Sequence, residues 1–448
     1  MSTEQGTAMA EPQAKGWRPA VAWAMFDWAN SPYPTIVMTF VFGTYFTKAI
    51  AETPEVGTAQ WGWAMALAGF IIAVLGPFTG AAADRMGRRK PWLGGFSALC
   101  IAASALLWFA APVPESTLLA LTLVVVGTVG FEMTMVFYNA MLPDVAPQGM
   151  MGRLSGWAWG LGYAGGLAAL ILSLVVFVQN ETPPFGLDRD AAEHVRITPV
   201  LVAVWFAVFC IPTFVMVREP ARGAPVGAAL RHAVGDVMRL WQIFRTYPVL
   251  GRFLVARMIY TDGLNTLFAF GGIYAAGTFG LPLDQVIMLG IAMNITAGLG
   301  AAAFGWMDDR LGARATIAAG VLGLIVLGGG LLIVESTLMF WALALPMGLF
   351  FGPVQSASRS MVARLAPPEL TTEMFGLYAL SGKITAFAGP LLLGWATVLA
   401  DSQRAGMATV LVFLVGGLFL LLWGVPSRAE NPFVTSCCGA DANPPGRH

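Results

Sequence analysis

The chain has 448 residues, of which 57% are hydrophobic and 11% are charged, and its mean hydropathy is +0.70. Soluble domains carry about 25% charged residues, so this composition excludes an ordinary soluble protein and predicts a polytopic membrane protein. The formal net charge of zero gives no indication of a nucleic-acid partner.

Twelve apolar segments follow one another along the chain, and each is long enough to cross a bilayer. Spanning the hydrocarbon takes about 20 apolar residues, and inside lipid each segment must satisfy its own backbone hydrogen bonds as a helix. The predicted helices cover residues 20–47, 60–83, 91–112, 116–142, 153–178 and 199–217, then 250–276, 285–307, 315–334, 338–362, 374–399 and 405–424. The predicted fold is therefore all-α, with twelve transmembrane helices in two six-helix bundles.

These helices divide the chain into five parts. An N-terminal tail (1–19) precedes a six-helix bundle (20–217), a linker (218–247), a second six-helix bundle (248–424) and a C-terminal tail (425–448). In the linker, Leu230, Val234, Val237, Trp241 and Phe244 recur at helical spacing, opposite charged residues. That pattern predicts an amphipathic helix lying in the membrane interface as a tether between the bundles.

The distribution of lysine and arginine predicts the orientation. Seventeen of these residues fall on the side of the termini and only four on the other side. Because positively charged loops stay in the cytoplasm, we expect both termini there, in the inner membrane of a bacterium.

Two loops on the predicted cytoplasmic side repeat one motif, Gly-x-x-x-Asp-Arg-x-Gly-x-Arg. Their aspartates, Asp84 and Asp309, are separated by 309 − 84 = 225 positions, about half of the chain. A motif copied at half the chain length indicates an internal repeat, which in a membrane protein is typical of a secondary transporter. The candidate loop residues are Gly80, Asp84, Arg85, Gly87 and Arg88 in the first copy and Asp309, Arg310, Gly312 and Arg314 in the second.

Polar residues inside the spans provide the candidate site, because charged groups within a bilayer helix are costly and usually functional. Asp27 and Asn30 of span one recur as Asp262 and Asn265 of span seven, and positions three apart share a helix face. Span four carries a stripe of Thr128, Glu132, Met135 and Asn139, span ten carries Gln355 and Arg359, and span eleven carries Tyr378, Ser381, Lys383 and Thr385. We expect the long side chains of Arg252 and Arg257 to snorkel to the interface.

The first loop, between spans two and three, resembles the signature of the major facilitator superfamily. Residues 23–31 (WAMFDWANS), 137–143 (FYNAMLP) and 375–383 (FGLYALSGK) are similar to the unknown major facilitator branch, which includes the autophagy-related vacuolar amino-acid effluxers of fungi. The resemblance implies two pseudo-symmetric bundles, alternating access, and loops that latch the halves on the cytoplasmic side. For the transported solute, the resemblance implies amino acids only as a lead. One departure is Pro32-Tyr33-Pro34, whose two prolines should kink the first helix.

Two interpretations of the buried charges remain open. Carboxylates on spans one, four and seven, opposite Arg359 and Lys383, would supply partners for the ammonium and carboxylate of an amino acid, and could also carry protons. Alternatively, these groups form salt bridges that close one face of the bundle during the cycle. For the loops, Asp84 is placed to meet the positive N-terminal end of a neighbouring helix, while the arginines also enforce topology.

The predicted function is secondary active transport of a small polar solute by a monomer in the lipid bilayer, with an amino acid as the lead for the solute and a proton as the expected coupling ion. The chain lacks the common zinc, hydrolase and phosphate-binding motifs, so we expect no enzyme activity, cofactor or metal site. The alternatives are a transporter-like sensor or scaffold, or a carrier of peptides, sugars or drug-like cations. Cys437 and Cys438 in the tail could bind metal or carry a lipid, but two incidental thiols are the simpler interpretation.

Overall fold

The computed structural model describes residues 16–219 and 245–426, and helices form its framework. The first half contains α1 (Trp17–Asn30), α2 (Phe42–Tyr45), α3 (Pro54–Met86), α4 (Lys90–Leu106), α5 (Thr117–Ala140), α6 (Leu142–Val145), α7 (Met151–Leu172), α8 (Glu193–Phe209) and α9 (Ile211–Met216). The second half contains α10 (Pro248–Phe279), α11 (Leu283–Leu311), α12 (Ala313–Ile333), α13 (Thr337–Leu365), α14 (Thr371–Ser381), α15 (Ala388–Ala400) and α16 (Gln403–Gly424). The predicted linker helix and the paired thiols Cys437 and Cys438 lie outside the described residues.

Within the described part of the chain, nine helices are long and apolar enough to cross a membrane. The predicted spans one, seven and eleven are not among them. Span one is divided among α1, α2 and π-helical segments, span eleven is divided between α14 and α15, and span seven is the 32-residue helix α10, which carries several polar residues. These three spans are the ones that depart from a plain apolar helix, and a departure of this kind is expected where spans border a polar cavity.

The first span loses regular α-helical geometry where the sequence places two prolines. Helix α1 ends at Asn30, a π-helical segment covers Tyr33–Phe40, and a second π-helical segment covers Phe46–Ile50. Proline lacks a backbone N–H and disturbs the hydrogen bonds of the turn before it, and such disturbed turns often take π geometry. The predicted irregularity of span one is therefore present.

The eleventh span is not the continuous helix that the sequence predicts over 374–399. Helix α14 ends at Ser381, helix α15 starts at Ala388, and residues 382–387 form turns between them. Non-helical backbone at membrane depth is tolerated only where protein buries it or where it borders a cavity. This segment, called the break below, meets that condition because Gly382 and Lys383 line the central cavity.

The two halves meet through pairs of helices related by the internal repeat. Helix α3 packs against α14, and α7 packs against α11. In each pair, the second span of one half contacts the fifth span of the other half. A Cβ atom added to Gly156 would lie 2.2 Å from the carbonyl oxygen of Ala301, which shows how closely the backbones of α7 and α11 approach. Small residues permit such approaches in membranes, and the glycine-rich stretch of span five is used for packing.

We expect Gly156→Ala to destabilise this packing, because the added methyl group meets backbone rather than a flexible side chain. Overpacking of this kind costs about 1–3 kcal/mol, which thermal unfolding of the purified protein would measure. The matched control is Gly95→Ala, since a Cβ at Gly95 in α4 meets nothing within 4 Å. An equal loss of stability in both variants would contradict the argument.

Candidate functional site

A cavity of about 230 Å³ lies between the two halves of the molecule. It is lined from the first half by Phe131, Glu132, Met135, Val136, Asn139 and Trp159, and from the second half by Arg257, Thr261, Asn265, Gln355, Arg359, Phe375, Tyr378, Ala379, Gly382 and Lys383. Six of the sequence-predicted site residues are among them: Glu132, Asn139, Asn265, Gln355, Arg359 and Lys383. The other three, Asp27, Asn30 and Asp262, lie behind this lining.

Arg359 of α13 is the most completely buried charge at the cavity, with 1% of its surface exposed. Its Nη1 atom donates to Asp27 Oδ2 at 2.9 Å and to Asn139 Oδ1 at 3.3 Å. Its Nε and Nη2 atoms donate to the side chain and backbone carbonyl of Ser155, at 2.9 and 2.6 Å. All of these acceptors belong to the first half, so Arg359 joins the two halves through a buried ion pair.

Aromatic rings surround the same guanidinium. Its carbon lies 5.0 Å from the ring centre of Trp23, 5.6 Å from that of Tyr138 and 5.7 Å from that of Trp159. Such distances permit cation–π attraction, which is strongest in desolvated sites. Sequence reasoning did not single out these rings, because an aromatic residue in an apolar helix is most often plain core. The available signal was the position of Trp23, one helical turn before Asp27.

A second ion pair crosses between the halves at the break. Lys383 Nζ lies 2.6 Å from Glu132 Oε1 of α5. The two side chains are 29% and 22% exposed, so this pair is much wetter than the Asp27–Arg359 pair. A ligand in the cavity therefore reaches Lys383 and Glu132 more easily than it reaches Asp27.

Arg257 was expected to snorkel to the interface, and that expectation is wrong because the side chain is buried in the lining of the cavity. Its Nη1 atom donates to the carbonyl of Tyr378 at 2.7 Å and to Ser381 Oγ at 2.6 Å. Its guanidinium carbon also lies 3.5 Å from the ring centre of Tyr378. The end of α14 thus provides Arg257 with a carbonyl group, a hydroxyl group and an aromatic ring as partners, so its guanidinium does not need to reach water.

The repeated carboxylate–amide pairs are equivalent in sequence but not in structure. Asp27 binds Arg359, whereas Asp262 Oδ2 accepts a hydrogen bond from the backbone N–H of Gly389 at 3.0 Å. Asn265 lines the cavity, but Asn30 is buried with its Nδ2 atom 3.2 Å from Met135 Sδ. The two halves therefore do not present matching pairs to the cavity, in contrast to the expectation from the repeat.

The two Asp-Arg loops lie at one end of the molecule, called the loop face below. Asp84 accepts hydrogen bonds from the backbone N–H groups of Thr372 and Glu373 at 3.1 and 2.8 Å, in the first turn of α14. Arg89 donates from Nε to Thr372 Oγ1 at 2.8 Å and also binds Asp144. Gly80 faces the same turn, since an added Cβ would lie 2.7 Å from the carbonyl oxygen of Thr372. The first loop thus binds a helix N-terminus of the other half.

The second loop makes the symmetry-related contact. Asp309 accepts from the backbone N–H groups of Gly152 and Arg153 at 2.7 and 3.2 Å, at the start of α7, and from Arg153 Nε at 2.6 Å. Its neighbour Asp308 aligns with Ala83 of the first loop and binds Ser360 and Arg364 within the second half. Sequence reasoning missed Asp308 because the repeat has no acidic residue at the matching position. The carboxylates of Asp84 and Asp309 thus each lie at the positive N-terminal end of a helix.

The remaining loop residues have distinct positions. Gly87 and Gly312 follow α3 and α11 with backbone φ angles of 62° and 86°, which residues other than glycine rarely adopt. Arg314 donates to the carbonyl of Leu422 at 2.8 Å. Arg85, Arg88 and Arg310 are exposed. Within residues 16–219 and 245–426, the structure shows no cluster of three or more His, Cys, Asp or Glu side chains that could hold a metal.

Comparison with known sequences shows extensive similarity to transporters. A family model described as vacuole effluxer Atg22 like matches residues 62–431. An uncharacterized MFS-type transporter of Bacillus subtilis, YxiO, is 29% identical over 92% of this chain and 95% of its own length. Autophagy-related protein 22 of Cryptococcus neoformans is 27% identical over 59% of this chain and 48% of its own length. The alignment therefore spans about half of that fungal protein.

Comparison with solved structures shows the same fold. The fucose transporter FucP in its outward conformation superposes with a TM-score of 0.70 over 92% of this chain and 98% of its own, at 13% identity. The proton:xylose symporter XylE superposes with a TM-score of 0.69 over 93% and 96%, at 11% identity. These identities are too low to carry more than the architecture of two helical bundles around a central cavity.

Proposed function

This chain belongs to the family of Atg22-like vacuole effluxers, and from that membership we propose that it is a secondary active carrier of a small zwitterionic solute such as an amino acid. It is an integral membrane protein of the major facilitator type. We place it in the inner membrane of a bacterium as a monomer, with both termini and the loop face in the cytoplasm. We further propose that proton movement drives transport.

One observation carries the choice of solute. Two ion pairs connect the halves at the cavity, and in each the acid comes from the first half and the base from the second: Asp27 with Arg359, and Glu132 with Lys383. A zwitterion carries the same two charges. Its ammonium group complements Asp27 or Glu132, and its carboxylate complements Arg359 or Lys383.

The ion pairs also suggest how the solute would permit the halves to separate. Parting a buried ion pair leaves uncompensated charges, which is strongly unfavourable. A bound zwitterion carries one charge of each sign, so it can replace the lost partners of one of the two pairs. The more exposed Glu132–Lys383 pair is the one that it reaches more easily. The contacts of Asp84 and Asp309 hold the loop face closed in the present arrangement, which supports an outward-facing state.

The dimensions of the cavity support a small solute over a drug-like one. Pockets for drug-sized ligands enclose about 300–1,000 Å³, and this cavity encloses about 230 Å³. Its lining combines neutral polar groups such as Asn265 and Gln355 with the charges of Glu132, Arg359 and Lys383, and an amino acid would use those charges whereas a neutral sugar would not.

Transport by purified protein in liposomes tests the proposal. We expect uptake of at least one labelled amino acid to rise under an inward proton gradient, and to fall at least about tenfold in Asp27→Asn. Asp401→Asn, an exposed acid of the second half, is the matched control and should retain uptake. A dipeptide, a sugar and an organic cation complete the panel. Uptake of one of these instead would overturn the amino-acid assignment, and no uptake by folded protein would favour the sensor or scaffold alternative.

The wetter ion pair should matter for solute binding more than for stability. Partly exposed ion pairs contribute about 0–1 kcal/mol to folding, so Lys383→Met should change the unfolding free energy by less than about 1 kcal/mol. We expect the KM for the transported solute to rise at least about tenfold, because its carboxylate loses a cationic partner. Glu132→Gln should act in the same direction through the ammonium group. An unchanged KM in both variants would assign this pair to gating alone.

A further inference from the structure

Helix α10 binds both ends of the break in the eleventh span. At the C-terminal end of α14, Arg257 donates to the carbonyl of Tyr378, and at the N-terminal end of α15, Gly389 donates to Asp262. A cation thus lies at the negative end of one half-helix and an anion at the positive end of the next. In secondary transporters, the N-terminal ends of discontinuous helices face anionic groups, while their C-terminal ends and unwound carbonyls coordinate coupling ions. Here Asp262 is the anionic group at such an N-terminal end, and its free oxygen is what remains to be explained.

Two oxygen atoms at the start of α15 have no hydrogen-bond partner among the described residues. They are Asp262 Oδ1 and Thr266 Oγ1. Their residues are 2% and 1% exposed, so both oxygens lie inside the protein. A Cβ placed on Gly389 would lie 2.1 Å from Thr266 Oγ1 and 3.1 Å from Asp262 Oδ1, so these two oxygens border the same space. Buried polar atoms without partners are rare and require an explanation.

Cationic side chains on the neighbouring elements are engaged elsewhere. Arg257, on the same helix as Asp262, binds the end of α14, and Lys383 in the break binds Glu132. From α13, Arg359 binds Asp27 and Arg364 binds Asp308; from α16, Arg404 donates to the carbonyls of Leu332 and Val334. Arg252, near the start of α10, is exposed. Asp262 therefore has a helix end as its partner and no side-chain cation among these groups.

We propose that Asp262 and Thr266 form a site for a small monovalent cation, a proton or a sodium ion, at the start of α15. This inference rests on the proposed transport function, for which it supplies the place of the coupling ion. Asp262 provides the charge and the Thr266 hydroxyl provides a neutral oxygen ligand. A proton on Oδ1 would instead let Asp262 donate a hydrogen bond to Thr266.

The position of the site connects it with the cavity. Thr261 lines the cavity together with Asn265, one helical turn further along α10, whereas Asp262 and Thr266 face α15. A cation bound at Asp262 neutralises the anion that stabilises the start of α15. The same break carries Lys383, which binds Glu132 across the cavity. Occupancy of the cation site and the state of the solute site are therefore linked through residues 382–387.

Ion binding by the purified full chain, without solute, tests this site. Thermal unfolding would be followed in sodium chloride against choline chloride at one pH, and then from pH 5 to pH 9 in choline chloride. We expect saturation with sodium or with protons to raise the Tm of the wild type by about 3 °C or more. Asp262→Asn should abolish that rise, and Asp401→Asn should retain it. A sodium response identifies a sodium site, and a proton response identifies a proton site.

A second variant and a second readout cover the case in which Asp262→Asn does not fold. Thr266→Val keeps the carboxylate and removes one ligand, so the half-saturating cation concentration should rise at least about threefold. Infrared difference spectra should show a protonated carboxylic acid band that Asp262→Asn lacks if the ion is a proton. Identical sodium and pH responses in wild type, Thr266→Val and Asp262→Asn would overturn the site and leave Asp262 as a helix cap.

The two proposals fail in different ways. Solute uptake that persists while Asp262→Asn shows wild-type cation responses would overturn the ion site and leave the transport function. Cation binding that depends on Asp262 in a protein that moves no member of the solute panel would overturn the solute assignment and leave the ion site.

Discussion

Arg359→Met should lower the unfolding free energy by about 3–5 kcal/mol, because it leaves the carboxylate of Asp27 buried without its ion-pair partner. Solute uptake should fall at least about 30-fold, the equivalent of about 2 kcal/mol, since buried charge pairs at binding sites cost at least that much when one member is removed. Chemical unfolding and liposome uptake measured on the same preparation would check both values.

A double-variant cycle separates stability from function at this pair. Replacing both members removes the uncompensated charge, so Asp27→Asn/Arg359→Met should be more stable than Arg359→Met alone. Its uptake should stay as low as that of Arg359→Met, because one of the two charged pairs available to the zwitterion is missing. Arg252→Gln is the control, an exposed arginine on α10 that should retain both properties. Wild-type stability and uptake in Arg359→Met would contradict the assignment.

The sequence predicts the boundaries of most spans to within a few residues, because hydropathy and helix length both follow from the thickness of the bilayer. Span nine was predicted at 315–334 and forms Ala313–Ile333; span twelve was predicted at 405–424 and forms Gln403–Gly424. The break at 382–387 was not predicted. Gly382 begins it and Pro390 follows it, and both residue types disfavour a helix interior. The contacts of its two ends with Arg257 and Asp262 of α10, more than a hundred positions away, could not be read from the sequence.

The choice of partners among the buried charges could not be read from the sequence either. Asp27 and Asp262 occupy repeated motifs, yet only Asp27 meets an arginine. The difference comes from α13, whose Arg359 reaches the first half, and from the break, which offers Asp262 a backbone N–H instead. A single sequence shows which residues are polar, but pairing depends on how helices from different parts of the chain cross.

The contacts at the loop face and the ion pairs at the cavity join the same two halves of the molecule at two places. At the loop face, each repeat binds a helix N-terminus of the other half through a carboxylate, and at the cavity the Asp27–Arg359 and Glu132–Lys383 pairs join the same halves. Helix α14 takes part in both, since Asp84 binds its first turn and Arg257 binds its last. Movement at the loop face therefore reaches the cavity through one short helix of 11 residues.

Removing the charge from both loop carboxylates should open the loop face. Asp84 and Asp309 each accept two backbone N–H groups across the halves. Charged acceptors bind about twice as strongly as neutral ones, so each change to asparagine should cost about 1.5 kcal/mol. Asp84→Asn/Asp309→Asn together should then shift the ratio of closed to open molecules by about 100-fold.

Spin labels at the exposed positions Gln148 and Leu311, one in each half, would measure this shift as a change in distance distribution, after replacement of Cys437 and Cys438. The wild type should show mainly the short distance and the double variant a longer one. Glu369→Gln removes an exposed acid from the second half and should leave the distribution unchanged. A short distance retained in the double variant would mean that the close helix packing at Gly156 holds the halves together without the loops. In that case Gly156→Ala, rather than the loop variants, should produce the longer distance.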